Sequence, residues 1–402
     1  MTYLLKDQPV LVPRRLTTSL AICLISCLAL PASASPTGAP VDKASASPAA
    51  TTKAPHAQWR PNGAVHAIAV SRTRVFIGGD FTRLTNTGTH ERVRKVRVAA
   101  FNRKTGALVR GFTARVNGRV RALSVFDSKL VMGGDFTKVG GRNRQHLAAV
   151  RNGDGRVVRS WHKQVNGPVL SILALKDRVY VGGNFNQVDA TTRSKLFALN
   201  RNGQLVSGWP IQTSRGTQTF TDGGAYALAA SPDGRSVIVG GTFHTFIGKH
   251  RTYLGEVARR SGKVRAWHPT PACFDKCFVL SLDTSPTTVF AGIGGPGGHA
   301  TAYRLSNAST EWSVHTSGDI SAVARTGSKL LIGGHFAKVA GRNHRMFAQL
   351  VASSGAVTRR RPSMSGELYP GVLAIEVRDN LARIGGAFDT LAGQRRYAVL
   401  PS

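Results

Sequence analysis

Short apolar runs recur along most of the chain, and polar turn residues separate them. In one copy, the segments "GRVRALSV", "LVMGGDF", "HLAAVRN" and "RVVRSWHKQV" follow one another, with "DSK", "TKVGGRNRQ" and "NGDG" between them. Alternating or continuous apolar runs of this length are typical of strands, and Gly, Asn, Asp and Ser accept the backbone angles that turns require. The pattern therefore predicts four short antiparallel strands per copy.

The segment "LVMGGDFTKV" has relatives throughout the chain, among them "VFIGGDFTRL" and "LLIGGHFAKV". The spacing between copies averages about 51 residues, and a fixed period of this size is the signature of a repeat architecture. A four-stranded unit of that length is one propeller blade. The fold predicted is an all-β, seven-bladed β-propeller with four-stranded antiparallel blades. The first glycines of the well-preserved copies are Gly78, Gly133, Gly182, Gly240, Gly333 and Gly385, and a degenerate copy, "VFAGIGGPGG", supplies the seventh.

Tryptophan occurs at one position of the repeat, which the pattern places in the fourth strand. The five tryptophans are Trp59, Trp161, Trp209, Trp267 and Trp312. Phe112 takes this place in the second copy. Such periodicity indicates core packing, in which a large ring covers small residues nearby. The paired glycines are expected to let a ring or a backbone approach closely.

The register of the copies predicts how the repeats close into a ring. The last copy ends after its third strand, "RRYAVLPS", and the first begins with an extra piece, "AQWRP", which carries a fourth-strand tryptophan. The N-terminal strand is therefore expected to complete the seventh blade. Closure of this kind removes an exposed sheet edge, which would otherwise invite aggregation.

The repeat also resembles a known sequence family. The stretches "GGDFTKVGGRNRQHLAAV" and "GGHFAKVAGRNHRMFAQL" resemble the delta-60 type (GGxF) β-propeller repeat of secreted bacterial proteins. The resemblance covers nearly all of residues 58–402 and departs at the fifth copy, where Ile293 replaces the second glycine. It implies the scaffold and a secreted protein, and it supplies no catalytic residues.

The N-terminal residues differ in composition from the repeats. Residues 1–34 contain two arginines, an apolar run and "ASA", the pattern of a signal peptide. Residues 35–57, rich in Ala, Pro, Ser and Thr, are expected to form a flexible linker, and residues 58–402 the propeller. We expect a secreted or cell-wall-associated monomer without a transmembrane segment; the alternative is a lipoprotein acylated at Cys27.

Two cysteines remain beyond the signal segment, in "PACFDKCF". In an oxidising compartment an isolated nearby pair is most simply a local disulfide, here between Cys273 and Cys277. A zinc site that includes His268 and a redox-active dithiol are the alternatives.

The charge balance is strongly basic: 54 Lys and Arg against 20 Asp and Glu give a formal net charge of +34. Charge of this size points to anionic partners. The loop between strands two and three carries cations in six of the seven copies: Arg92, Arg94, Lys95, Arg97, Arg142, Arg144, Arg193, Lys195, Lys249, Arg251, Arg342, Arg345, Arg395 and Arg396. These predict a basic face; the alternative is that the arginines cap strand three and the excess charge is merely solvated.

No motif of a known active site stands out. The chain contains no HExxH, G-x-S-x-G or P-loop, and the residue between the glycines and the phenylalanine varies too much to be a shared metal ligand. We expect no cofactor, no metal and no enzymatic activity. Three classes of function remain: a module that binds anionic polymers such as wall teichoic acid, acidic polysaccharide or extracellular DNA; a protein-interaction scaffold that engages acidic protein surfaces; and a carbohydrate-active enzyme.

Overall fold

The structure, a computed structural model, describes residues 58–210, 223–271 and 276–402, and these residues form only strands, turns and loops. The described residues contain no helix with the length and apolar character that a membrane span requires. Residues 1–57 lie outside the described part, so the signal peptide and the linker stay predictions.

Each sequence repeat folds into an antiparallel sheet with an inner, a middle and a third strand. The inner strands are β2 (Val65–Val70), β7 (Val120–Phe126), β12 (Val169–Leu175), β17 (Ala225–Ala230), β22 (Phe278–Thr284), β26 (Ile320–Thr326) and β32 (Val372–Arg378). The middle strands are β3 (Arg74–Gly79), β8 (Lys129–Gly134), β13 (Arg178–Gly183), β18 (Ser236–Gly241), β23 (Thr288–Gly294), β27 (Lys329–Gly334) and β33 (Leu381–Gly386). The third strands are β6 (Val98–Asn102), β11 (Leu147–Arg151), β16 (Leu196–Asn200), β21 (Leu254–Ala258), β24 (Gly298–Arg304), β30 (Phe347–Val351) and β35 (Tyr397–Pro401).

Between the middle and third strands, most repeats insert a small hairpin. The hairpin strands are β4 (Arg83–Asn86) with β5 (Arg92–Arg94), β9 (Lys138–Val139) with β10 (Arg142–Asn143), β14 (Gln187–Val188) with β15 (Thr191–Thr192), β19 (Thr245–Phe246) with β20 (Lys249–His250), and β28 (Lys338–Val339) with β29 (Arg342–Asn343). The last repeat has β34 (Thr390–Leu391) alone. Three further strands complete the described fold: β1 (Trp59–Pro61), β25 (Thr310–Thr316) and β31 (Met364–Ser365).

The predicted fourth strand is mostly reduced to a single bridge, such as Val150 with Val157. In that repeat the Trp161 amide donates to the Val158 carbonyl over 3.3 Å, and this turn carries the chain away from the sheet edge. Only the fifth repeat has a full fourth strand, β25, within the described residues. The prediction of four-stranded blades was therefore too regular, because the tryptophan position closes a turn of this kind at Phe112, Trp161 and Trp209.

The paired glycines make room for the neighbouring repeat and for their own inner strand. A Cβ on Gly78 would lie 2.6 Å from Cγ1 of Val120, which belongs to the next inner strand. A Cβ on Gly79 would meet the carbonyl oxygen of Ala64. Of the two predicted alternatives, the close approach of a backbone is confirmed at Gly79, whereas Gly78 makes room for a valine side chain and not for a tryptophan ring.

The tryptophan rings instead join one repeat to the next. The indole Nε1 of Trp161 donates to the carbonyl of Arg201 over 3.2 Å, and Trp312 donates to Ala352 over 3.0 Å. The Trp161 ring also covers Gly203, whose added Cβ would come within 2.7 Å of it. The prediction that these rings pack in the core is confirmed, since every ring is buried except that of Trp312, which is half-buried.

The inner strands lie side by side, and β2 of the first repeat packs against β32 of the last as well as against β7. A single apolar cluster joins the two ends of the described chain: Phe101 stacks on Tyr397 with ring centroids 5.9 Å apart, and Trp59 belongs to the same cluster.

The N-terminal strand, however, does not pair as expected. Strand β1 pairs with β4 of the first repeat, with Pro61 opposite Leu84, and not with β35 of the last. The equivalent segment of other repeats also bridges the hairpin that follows it, as Val165 does with Val188. Trp59 still packs beside the last sheet, but through its ring and not through a backbone ladder.

Candidate anion-binding surface

The hairpins lie at the end of the molecule where the middle strands end and the third strands begin. The connections from one repeat to the next inner strand reach the same end, because neighbouring strands are antiparallel. Side chains of the hairpins and of these connections therefore share one face, which we call the hairpin face.

Half of the cations predicted for this face are exposed. The exposed residues of the set are Arg92, Arg94, Arg142, Lys249, Arg342, Arg345 and Arg395. Arg345 also donates to the carbonyl of Gly366, so it ties its hairpin to the segment before the last inner strand.

Two predicted cations are buried and do not belong to the surface. Lys95 is 7% exposed, and its Nζ donates to the carbonyls of Phe112 (2.6 Å) and Arg110 (2.9 Å). Burial lowers the pKa of this ammonium. Arg144, 6% exposed, donates from Nη1 to the Asn143 carbonyl over 2.7 Å. The assignment of these two side chains to the binding surface was wrong, because Lys95 fastens its hairpin to the segment that ends at Phe112 and Arg144 bonds within its own hairpin.

Arg193 and Arg251 repeat the arrangement of Arg144. Each donates from Nη1 to the carbonyl of the preceding residue, Thr192 or His250, over 2.9 and 2.8 Å. The Nε atoms of all three arginines are buried and have no hydrogen-bond partner in the described residues. The guanidinium groups of these three arginines therefore bond to their own hairpins, and a role in capping strand three stays a prediction.

A third group of predicted cations, which occupy one equivalent position of the repeat, has left-handed backbone angles. Arg97, Lys195 and Arg396 have φ values of 68°, 63° and 59°. Arg97 donates to the carbonyl of Asp80, and Lys195 Nζ donates to Oδ1 of Asn184 over 2.6 Å. All three side chains are half-buried, and those of Arg97 and Lys195 hold the residue that follows the paired glycines.

Several cations line a groove of about 770 Å³ along the outer edge of the second repeat. Its floor includes Val157, Val158 and the glycines Gly140 and Gly155. The cations that line it, which together we call the basic groove, are Lys129, Arg142, Arg151, Arg156 and Arg159. Since Lys129 begins β8 and Arg142 follows its other end, the groove extends roughly 20 Å, the length of a six-residue strand.

One carboxylate lies beside these five cations. Asp154 accepts from Arg151 Nε over 3.0 Å and from the Arg156 amide over 3.0 Å. The amide hydrogen bond first, and then the arginines, lower the pKa of Asp154. Four positive charges therefore remain uncompensated in the groove, and the Arg156 side chain is 77% exposed.

A comparable groove between the fourth and fifth repeats has the opposite character. It measures about 620 Å³ and is lined by Asp233, Glu256 and Glu311 with one cation, Arg304. The excess of positive charge in the basic groove is therefore specific to the second repeat and does not recur in every repeat.

Sequence reasoning missed four of the five groove cations. It named Arg142 because this residue recurs in the hairpin loops, whereas Lys129, Arg151, Arg156 and Arg159 lie in other segments. The density of arginine in "RNGDGRVVRSW" was an available signal. Only the fold shows that this stretch lies beside the hairpin of its own repeat.

The cysteine pair and a metal centre are the remaining candidates that the sequence raised. The described residues contain no group of three or more His, Cys, Asp or Glu side chains placed to hold a metal ion. Cys277 is buried, and Cys273 lies outside the described residues, so their pairing stays a prediction.

Comparisons place this surface on a known fold. No family model matches the chain, and no curated protein matches it. The WD40 β-propeller domain of Doa1 is 10% identical, with a TM-score of 0.52 over 86% of this chain and 96% of that one. The computationally designed Ika8 protein is 16% identical, with a TM-score of 0.50 over 85% and 98%. The extracellular domain of the putative one-component system BT4673 from B. thetaiotaomicron is 13% identical, with a TM-score of 0.51 over 84% of this chain and 38% of that one. At these identities the likeness concerns the fold alone: the described chain is an all-β protein of the β-propeller type.

Proposed function

We propose that the protein is an extracytoplasmic, non-enzymatic binding module: a closed seven-bladed propeller whose basic groove holds anionic polymers. Seven equivalent sheets and the packing of β2 against β32 support the ring. The signal-peptide pattern of residues 1–34 supports export. The delta-60 resemblance agrees with both.

Closure can be tested where the first and last repeats meet. A Cβ on Gly385 would lie 2.6 Å from Cγ1 of Val65, the same distance as between Gly78 and Val120 in consecutive repeats. We expect Gly385→Ala and Gly78→Ala each to lower the free energy of unfolding by about 1–3 kcal/mol through overpacking. Urea unfolding measures both.

A double-mutant cycle between Gly385 and Val65 identifies the cause of the destabilisation. Adding Val65→Ala to Gly385→Ala should give a double variant more stable than the sum of the two single effects predicts. If Gly385→Ala is neutral while Gly78→Ala is destabilising, the chain ends are not packed together and the ring is open.

The single observation that carries the binding function is the basic groove. Its five cations face one carboxylate, and they lie in a depression long enough for several charged units of an extended polymer. Arginine suits phosphate, sulfate and carboxylate groups, because its planar fork bonds them bidentately. Each phosphate neutralised on DNA releases counterions, so affinity should fall steeply with salt.

The experiment replaces the exposed groove arginines together. Arg142→Gln/Arg156→Gln/Arg159→Gln should weaken binding to double-stranded DNA and elute earlier from heparin. The slope of log K against log salt should become shallower by roughly one for each phosphate that the variant no longer neutralises. Fluorescence anisotropy at several salt concentrations measures the slope.

A matched control changes the same charge elsewhere. Lys249→Gln/Lys263→Gln/Arg265→Gln alters three exposed cations of the fourth repeat, one of them at the hairpin position of Arg142. The control should keep most of the affinity. Equal weakening in both triple variants would show that the polymer responds to net charge alone and would refute the groove.

A further inference from the structure

A central cavity of about 410 Å³ opens among the inner strands and is unrelated to the basic groove. Each inner strand has a bulge close to its start, as between Val65 and Ala67, where it directly follows the first residue of β2. The bulged residue of every repeat lines this one cavity: His66, Arg121, Leu170, Tyr226, Leu280, Ser321 and Leu373. Bulges re-aim side chains, so the irregularity serves to direct one residue per repeat inward.

One side of the cavity is charged and ordered by ion pairs. Asp80 accepts from Arg119 Nε over 2.8 and 3.0 Å and from His66 over 2.9 Å, and Arg97 also contacts it. Burial would raise the pKa of Asp80, but the hydrogen bonds from Arg119 and His66 outweigh it and lower the pKa. Asp80 is therefore ionised at neutral pH, and burial lowers the pKa of His66 and keeps that ring neutral.

The guanidinium of Arg121 is held in place through its Nε atom alone. Its Nε donates to both oxygens of Asp135, over 2.8 and 2.9 Å. Its two Nη atoms make no hydrogen bond with the described residues, and the side chain is 32% exposed. Three arginines face two aspartates around Asp80 and Asp135, so this side of the cavity carries net positive charge. A guanidinium oriented in advance by a carboxylate presents its free Nη edge to a second anion at little further entropic cost.

The rest of the cavity wall is mostly apolar. Leu170, Leu280, Leu373 and Pro168 contribute aliphatic surface, and Tyr226 contributes a ring. Concave sites of this size with few polar groups are typical of small-molecule binding.

We infer that the central cavity binds a small amphipathic organic anion: a carboxylate, bound by the Nη atoms of Arg121, attached to an apolar chain or ring that packs on Leu170, Leu280, Leu373 and Tyr226. This site is separate from the polymer groove in position and in chemistry.

The test uses calorimetry with benzoate, octanoate and 4-phenylbutyrate, each beside its neutral amide. At least one acid should bind the wild-type chain at least tenfold more tightly than its amide does. Arg121→Gln should remove that preference, and Arg235→Gln, at an exposed arginine outside the cavity, should leave it unchanged.

Two further variants keep the result decisive. Leu280→Glu retains Arg121 and its partner but places a carboxylate in the cavity, so it should abolish acid binding even if Arg121→Gln folds poorly. The triple variant of the basic groove should bind the acid as the wild type does, which separates this site from the polymer site. The inference is overturned if no acid binds better than its amide, or if Leu280→Glu, melting as the wild type does, keeps the affinity.

Discussion

Trp209→Ala should lower the free energy of unfolding by about 3–5 kcal/mol, the range for removing a buried large aromatic side chain. The ring is 1% exposed, and it meets Tyr180 edge to face with centroids 4.7 Å apart. Its Nε1 donates to the carbonyl of Ala258 in the next repeat over 3.1 Å. The substitution therefore opens a cavity and breaks a link between consecutive sheets.

Trp209→Phe is the matched control, because the second repeat already has Phe112 at this position. Phe keeps most of the apolar packing and removes the hydrogen bond, so we expect a cost of about 1 kcal/mol or somewhat more. Chemical denaturation of the wild type, Trp209→Ala and Trp209→Phe measures the three free energies of unfolding. A destabilisation in Trp209→Ala no greater than in Trp209→Phe would mean that the ring contributes little to the joint between repeats.

As the pH rises from about 5 to about 7.5, the wild-type protein should lose stability relative to the Glu376→Gln variant. Burial first, opposed by Arg383 and Arg378 and reinforced by Asp283, raises the pKa of Glu376 to about 7 from an ordinary value of 4.5. The folded state then holds a proton that the unfolded state has already released. A raised carboxyl pKa therefore stabilises the fold below pH 4.5 relative to alkaline pH, and this advantage is lost up to about pH 7.

A shift of this size corresponds to about 3 kcal/mol between the two pH limits. Asp283 should act in the same direction, since burial raises its pKa although it accepts the Arg325 amide over 2.6 Å. Urea unfolding at pH 5, 6, 7 and 8 measures the slope. Glu367→Gln, at an exposed carboxylate, should keep the wild-type slope; an unchanged slope in Glu376→Gln would place the titration elsewhere.

The proximity of Asp283 and Glu376 could not be predicted from the sequence. Asp283 and Glu376 occupy the same position of their inner strands, opposite Phe290 and Arg383 of the middle strands. In the chain they are scattered carboxylates without a motif. The packing of inner strands brings them into one buried environment.

The sequence by itself determined the strand order, the repeat and the core. The chain repeats paired glycines, turn residues and tryptophans at a fixed period. This pattern favours similar sheets that pack one against the next. The sequence also determined the excess positive charge. It could not determine which arginines face solvent, because Arg142 and Arg144 lie two residues apart in one loop and differ only in what the hairpin covers.

The tertiary structure decided the rest, and distance along the chain is the reason. Gly385 meets Val65, and Trp59 packs near Tyr397, across more than three hundred residues that local patterns cannot relate. The seven bulges each look like a minor irregularity in their own strands. Only the packing of the inner strands directs Arg121 and Leu280, from different repeats, into one cavity, where charge and apolar surface lie together.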